Sequence, residues 1–188
     1  MNLDAIIDML PSYARDLKLN YSTLVRNNSE LTEQQLWGTV VVSAIATRSA
    51  DLTAAVLEAA GGHLSPQALE AAQAAAAVMS MNNVFYRFHH LSENEKYATM
   101  PARLRMNALR GHGVEDVDFE LWSLAVSAIN ACGKCVSSHE KVVRGKGATE
   151  ELVVAVVRVA AVIHAIGTVL DAVTAQSGKS AEPALSRV

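Results

Sequence analysis

Only two cysteines occur in this 188-residue chain, too few for the disulfide framework that holds small extracellular domains together. Cys132 and Cys135 are therefore read as redox-active, metal-binding or inert. Aromatic residues are scarce as well, at 5% of the chain, while alanine and valine recur in long runs. Such a core needs many small side chains on closely approaching backbones, which favours helices over sheet. No segment sustains the period-two alternation of a half-buried strand. Basic residues are not clustered: 16 Lys and Arg against 19 Asp and Glu leave a formal charge of -3, and no stretch could follow a phosphate backbone. Nucleic acid is not an expected partner. Residues Met1 to Ile7 lack the basic segment and apolar run of a secretory signal, so a cytoplasmic protein is expected. Leu152 to Leu170 has about the length of a membrane span, but it contains Arg158 and His164 and follows Glu150 and Glu151. A buried core helix, with no membrane partner, is the expectation.

What is present is a 51% hydrophobic chain of a size that suits one compact domain, taken as all-helical over residues 1–176 with a flexible tail over 177–188. Start signals recur at helical intervals: Pro11 with Ser12, Thr32 followed by Gln35 as a capping box, and Ser65 with Pro66. Gly61-Gly62, Gly111 with Gly113, and Gly145 with Gly147 are expected stops. Seven to nine helices result. Residues 36–45 also resemble residues 121–129, from Leu36-Trp37 and Leu121-Trp122 onward, and each segment precedes a short helix and then a long apolar one. The chain reads as two copies of one helical unit packed about a pseudo-two-fold, with cysteines only in the second.

The chemistry concentrates between Glu120 and His139. A free thiol with a pKa near ~8.5 is mostly protonated at neutral pH, so a reactive cysteine needs help to ionise. If Asn130-Ala131 ends one helix and Cys132 opens the next, both sulfurs lie at a helix N-terminus, where free N–H groups favour negative charge. Lys134 adds a cation and is a candidate for tuning the thiolates. Cys132, Cys135 and His139 then share one helix face, and the imidazole can take a proton from Cys135 and return it to a leaving group. Glu120, folded back across a tight turn, would orient that ring. The ordinary alternative for Glu120 is a first-turn glutamate favoured by the helix dipole. His63, His89, His90 and His112 read as solvated residues near helix ends, and His164 as a hydrogen-bonded core residue. Met79, Met81, Phe85, Tyr86 and Phe88 read as core or interface packing, with Asn82-Asn83 bonding across helices.

With these residues in view, the chain resembles the alkylhydroperoxidase D (AhpD) family over almost its whole length. The resemblance rests on residues 10–20, 79–87 and 119–130 and on the pattern Glu-x11-Cys-x2-Cys-x3-His. It implies an all-helical AhpD-like fold and an enzyme that reduces alkyl hydroperoxides with electrons from dihydrolipoamide or a lipoyl group on a 2-oxo-acid dehydrogenase component. It further implies re-reduction of a partner peroxiredoxin of the AhpC type, a homotrimer to which Ala71 to Met81 could contribute contacts, and no tightly bound cofactor or metal. On the family's pattern Cys135 becomes the sulfenic acid, Cys132 resolves it to the redox disulfide, and Glu120 and His139 relay the proton. Some members carry histidine where this chain has Lys134.

Other readings compete. Two thiolates, His139 and Glu120 could in principle bind zinc, though a Cys-x2-Cys-x3-His run is cramped on one helix face. The related carboxymuconolactone decarboxylases share the fold type but lack the paired cysteines. A dithiol adaptor that carries electrons from lipoyl groups to a peroxiredoxin would use the same residues.

Overall fold

The structure, a computed structural model, describes residues 2–177; the tail expected over 177–188 lies outside them apart from Ser177. Nine α-helices occur among the described residues: α1 (Leu3–Asp8), α2 (Arg15–Tyr21), α3 (Glu33–Thr47), α4 (Ala50–Ala60), α5 (Pro66–Leu91), α6 (Glu95–Thr99), α7 (Asp116–Ile129), α8 (Gly133–Gly145) and α9 (Glu150–Gln176). There is no strand among those residues, in line with the all-α expectation.

Local sequence explains the starts. Thr32 accepts a hydrogen bond from the Gln35 backbone N–H while the Gln35 side chain accepts one from the Thr32 N–H, closing the capping box that opens α3. Ser65 caps α5 with Pro66 as its first residue, and Thr149 caps α9. Gly61 and Gly145 fall at the ends of α4 and α8 as expected. Gly111 and Gly113 do not end a helix. They lie with positive φ in the irregular connection between α6 and α7, and at φ 75° Gly113 holds a backbone that other residues rarely adopt, with the end of the Gln67 side chain packed against it.

The two-unit reading holds at the level of packing. The helices α3, α4 and α5 have 15, 11 and 26 residues, and α7, α8 and α9 have 14, 13 and 27. Exchanging one triplet for the other maps each packed pair onto another: α3 and α7 cross at the centre, each touches both α5 and α9, α4 lies on α3 and α9, and α8 lies on α7 and α5. By length and composition α9 could cross a bilayer, but Val156, Val159, Ile163 and Ile166 are buried in this core. His164, expected inside, is exposed on the opposite side of that helix, because its position falls between the buried stripes. The segment 71–81 buries Ala71, Ala72, Ala75, Ala76 and Met79 within its own chain and leaves Gln73, Ala77 and Ser80 exposed on its other face.

The central crossing is close. Trp122 is fully buried, and its indole N–H donates to the Gln35 carbonyl at 3.3 Å. Beside it, Asp118 accepts hydrogen bonds from Gln34 at 2.7 Å and Gln35 at 2.9 Å, tying the first turns of α3 and α7 together. A Cβ at Gly38 would fall inside the Trp122 ring. Alanine would favour the helix by ~1 kcal/mol over glycine, but the overlap forces helix or indole to move. Gly38→Ala is expected to lower unfolding stability by a net ~1–3 kcal/mol in urea titrations; an unchanged midpoint would mean that the helices do not approach this closely.

Candidate active site

The turn from α7 to α8 builds the site. The Cys132 N–H bonds to the Ser127 carbonyl and the Ala131 N–H to the Ala128 carbonyl, the paired 6→1 and 5→2 bonds that close a helix with a left-handed residue. That residue is Ala131, at φ 53°. Cys132 thereby ends one helix and caps the next, its sulfur accepting from the Cys135 N–H at 3.4 Å. The two cysteines are disulfide-bonded with their Cα atoms 5.3 Å apart.

The reversal also carries α8 back along α7. The His139 Nδ1 lies 2.6 Å from the Glu120 Oε2. A carboxylate only accepts, so Nδ1 carries the hydrogen, and Glu120 fixes the plane of the ring. Both side chains are mostly sheltered, at 14% and 26% exposure. The other ring nitrogen, Nε2, is 3.2 Å from the Met79 sulfur of α5. Both ring nitrogens thus have a neighbour, a carboxylate on one side and a thioether on the other.

Helix α5 is clamped to this turn. Arg87 donates to the Asn130 carbonyl at 2.6 Å, the Asn130 amide donates to Asn83 Oδ1 at 3.0 Å, and the Asn83 amide donates to Ser127 Oγ at 3.0 Å. Asn83 therefore bonds across helices as expected, whereas its neighbour Asn82 makes no such bond.

Between α5 and α8 lies a cavity of about 330 Å³. Its walls are Met79, Asn82 and Tyr86 from α5, Lys134, Cys135, Ser138 and His139 from α8, and Met106 and Leu109 from the connection before α7. Cys135, at 5% exposure, faces it; Cys132 is fully buried and does not. Lys134 reaches over the Tyr86 ring, 5.6 Å from its centroid, a cation–π contact that holds the ammonium at the cavity wall. A larger cavity, about 600 Å³, lies between Tyr21, Arg26, Trp37 and His63 and contains none of the residues 120–139.

Four expected residues thus come together in three dimensions: Cys132, Cys135, His139 and Glu120, with Lys134 beside them. Among the described residues no three His, Cys, Asp or Glu side chains converge as a metal ion would require. Met79, Asn82 and Tyr86 were not expected at the site. Their spacing, i, i+3 and i+7, places them on one helix face, but nothing local says that this face meets a cysteine. One histidine differs from its solvated reading: His112 has an 8% exposed side chain stacked at 4.2 Å on Phe119. His63 is exposed as expected, stacking at 4.0 Å on Trp37 while bonding Glu33.

Left-handed backbone is costly for alanine because Cβ crowds the following carbonyl. Ala131→Gly should raise stability by a net ~0.5–1 kcal/mol once the greater freedom of the unfolded glycine is counted. A fall in the denaturation midpoint would contradict the turn geometry.

The profile of the carboxymuconolactone decarboxylase family matches residues 95–176, which include α7, α8 and α9. An alkyl hydroperoxide reductase AhpD from Acidobacterium capsulatum is 75% identical over 172 residues, covering 92% of this chain and 94% of that protein. Proteins of the same name from Koribacter versatilis and Solibacter usitatus are 59% and 56% identical, covering 92% and 91% of this chain and 89% and 96% of their own. At these identities and coverages, this chain belongs to the AhpD family.

Proposed function

We propose that this protein is a thiol peroxidase that reduces alkyl hydroperoxides to alcohols through the Cys132–Cys135 pair. The observation that carries the reading is the cavity between α5 and α8, onto which Cys135 opens beside a histidine oriented by a carboxylate. Relatives named alkyl hydroperoxide reductase support it. Cys135 is the attacking sulfur because it faces the cavity while Cys132 is sealed behind it. In reduced protein, the helix N-terminus and Lys134 favour the thiolate. The thiolate attacks the terminal peroxide oxygen: a sulfur–oxygen bond forms, the O–O bond breaks, and the departing alkoxide takes a proton from His139, whose charged form Glu120 stabilises. Cys132 then attacks the sulfenic sulfur, forming the disulfide and releasing water.

Reduction returns two electrons. A dihydrolipoyl group, carried on a 2-oxo-acid dehydrogenase component, attacks the accessible Cys135 sulfur to give a mixed disulfide, and its second thiol completes the exchange. In this reading the reduced dithiol also re-reduces an AhpC-type peroxiredoxin in the cytoplasm, and no cofactor is tightly bound. In this reading the protein is also a homotrimer, with the segment 71–81 among its candidate contacts.

The test follows thiols and peroxide together after reduced protein is mixed with an alkyl hydroperoxide, with dihydrolipoamide as sole reductant in a parallel reaction. Loss of both thiols to an intramolecular disulfide, and catalytic peroxide consumption with dihydrolipoamide, is expected. Thiols untouched by peroxide, together with rapid disulfide reduction by dihydrolipoamide, would replace the peroxidase with an electron relay.

Single cysteine variants separate the two sulfurs. Cys135→Ser is expected to abolish peroxide turnover, whereas Cys132→Ser reacts once and accumulates a sulfenic acid detectable by dimedone labelling. Equal residual turnover in both would defeat the assignment. Glu120→Gln keeps a hydrogen bond to the ring but loses the charge, and should slow peroxide reduction by ~100-fold, the low end of general acid–base contributions.

A further inference from the structure

Three buried side-chain oxygens have no hydrogen-bond partner among the described residues: those of Ser43, Asn82 and Ser123. Neither serine lines the cavity beside Cys135; Asn82 does. It is 4% exposed, and its buried carboxamide oxygen has no partner among the described residues; its Nδ2 makes no hydrogen bond to them either, although the adjacent Asn83 makes two side-chain bonds. Buried amides are almost always paired, so an unpaired one on a cavity wall has a bonding capacity that the protein itself does not use.

Its position gives that capacity a direction. Asn82 is one turn along α5 from Met79, whose sulfur touches the His139 Nε2. Cys135 lies on α8, across the cavity. In a displacement at peroxide oxygen the departing oxygen points away from the attacking sulfur, here from α8 toward α5. The oxygen that must take a proton from His139 therefore arrives beside Asn82. Of the remaining lining, Met79, Tyr86, Met106 and Leu109 offer largely apolar surface that suits the alkyl group, while Lys134 and Ser138 of α8 are polar.

Resting on the peroxidase reading, we propose that Asn82 is a substrate-binding residue that donates an amide N–H to the alkyl-bearing oxygen of the hydroperoxide. That oxygen gains the electron pair of the broken O–O bond while the terminal OH transfers to the Cys135 sulfur. A donor fixed in advance at a developing oxyanion lowers the barrier without reorganising during the reaction. The proton itself comes from His139, so Asn82 is neither acid nor base.

The contribution of such a donor depends on how much charge the leaving oxygen must hold. It should therefore matter greatly for tert-butyl hydroperoxide, which expels an alkoxide, and little for peracetic acid, which expels a stabilised carboxylate. Methyl methanethiosulfonate, which attacks the thiolate with no peroxide oxygen, reports thiol reactivity alone.

Single-turnover oxidation of reduced protein would be measured with all three reagents for wild type, Asn82→Leu and Asn82→Ala, with thermal unfolding to select variants that fold. Either folded variant is expected to lose at least ~100-fold in rate with tert-butyl hydroperoxide, the lower end of single-donor effects at oxyanions. The loss should be much smaller with peracetic acid, and the thiosulfonate rate should stay within ~2-fold of wild type, as expected if the thiolate itself is unperturbed. A wild-type rate with tert-butyl hydroperoxide, or an equal loss with all three reagents, would overturn the role of Asn82 while leaving the peroxidase intact. Failure of wild-type protein to react with either peroxide, with normal thiosulfonate chemistry, would remove the peroxidase reading and this inference with it.

Discussion

The reversal at Asn130, Ala131 and Cys132 is the constraint on which the site depends. Two backbone hydrogen bonds do the work: the Ser127 and Ala128 carbonyls at the end of α7 are satisfied by Cys132 and Ala131, and the left-handed Ala131 turns the chain tightly enough for α8 to lie along α7. Without that turn, Glu120 and His139 would be nineteen residues apart in sequence and nowhere near each other; with it they are 2.6 Å apart. The same turn makes Cys132 a helix cap, so its sulfur receives an N–H while Cys135 stands in the first turn facing outward from it. One local geometry thus sets the pairing of the sulfurs, the helix field acting on them and the orientation of the histidine.

Tertiary packing then supplies the other half of the site. Under the exchange of helix triplets, α5 of the first unit lies on α8 of the second, and the clamp through Arg87, Asn130, Asn83 and Ser127 holds it there. The cavity exists only because two units meet. The region matched by the carboxymuconolactone decarboxylase profile, residues 95–176, contains both cysteines, His139 and Glu120 but not Met79, Asn82 or Tyr86. A single unit could therefore carry the dithiol and its proton relay yet lack the wall proposed to receive the peroxide. The first unit has no cysteines, and its role at the site is to provide that wall.

Much of the fold was legible because its signals are local. Thr32 with Gln35, and Ser65 with Pro66, mark helix starts through bonds made within one turn. The correspondence of residues 36–45 with 121–129 anticipated the crossing of α3 and α7. Glycine was less reliable. Gly61 and Gly145 do end helices, but Gly113 answers to the Gln67 side chain, a contact forty-six residues away in sequence. Histidine was misread twice for a similar reason. Burial of His112 follows from Phe119 stacking on it, and exposure of His164 from the side of α9 that the core leaves open, neither of which a residue's neighbours in the chain reveal.

By itself the sequence determined the helices, the doubled unit and the set Cys132, Cys135 and His139, because caps and periodicity act over a few residues or along one helix face; Glu120 joined that set through the family resemblance, its spacing alone reading as a first-turn glutamate. Only the tertiary structure decided which sulfur opens onto a cavity, what faces it, and that Asn82 is left unpaired while Asn83 is not. Those outcomes depend on where α5 lies against α8, a contact between residues about fifty apart in the chain, fixed by the packing of the whole core around the Gly38–Trp122 crossing.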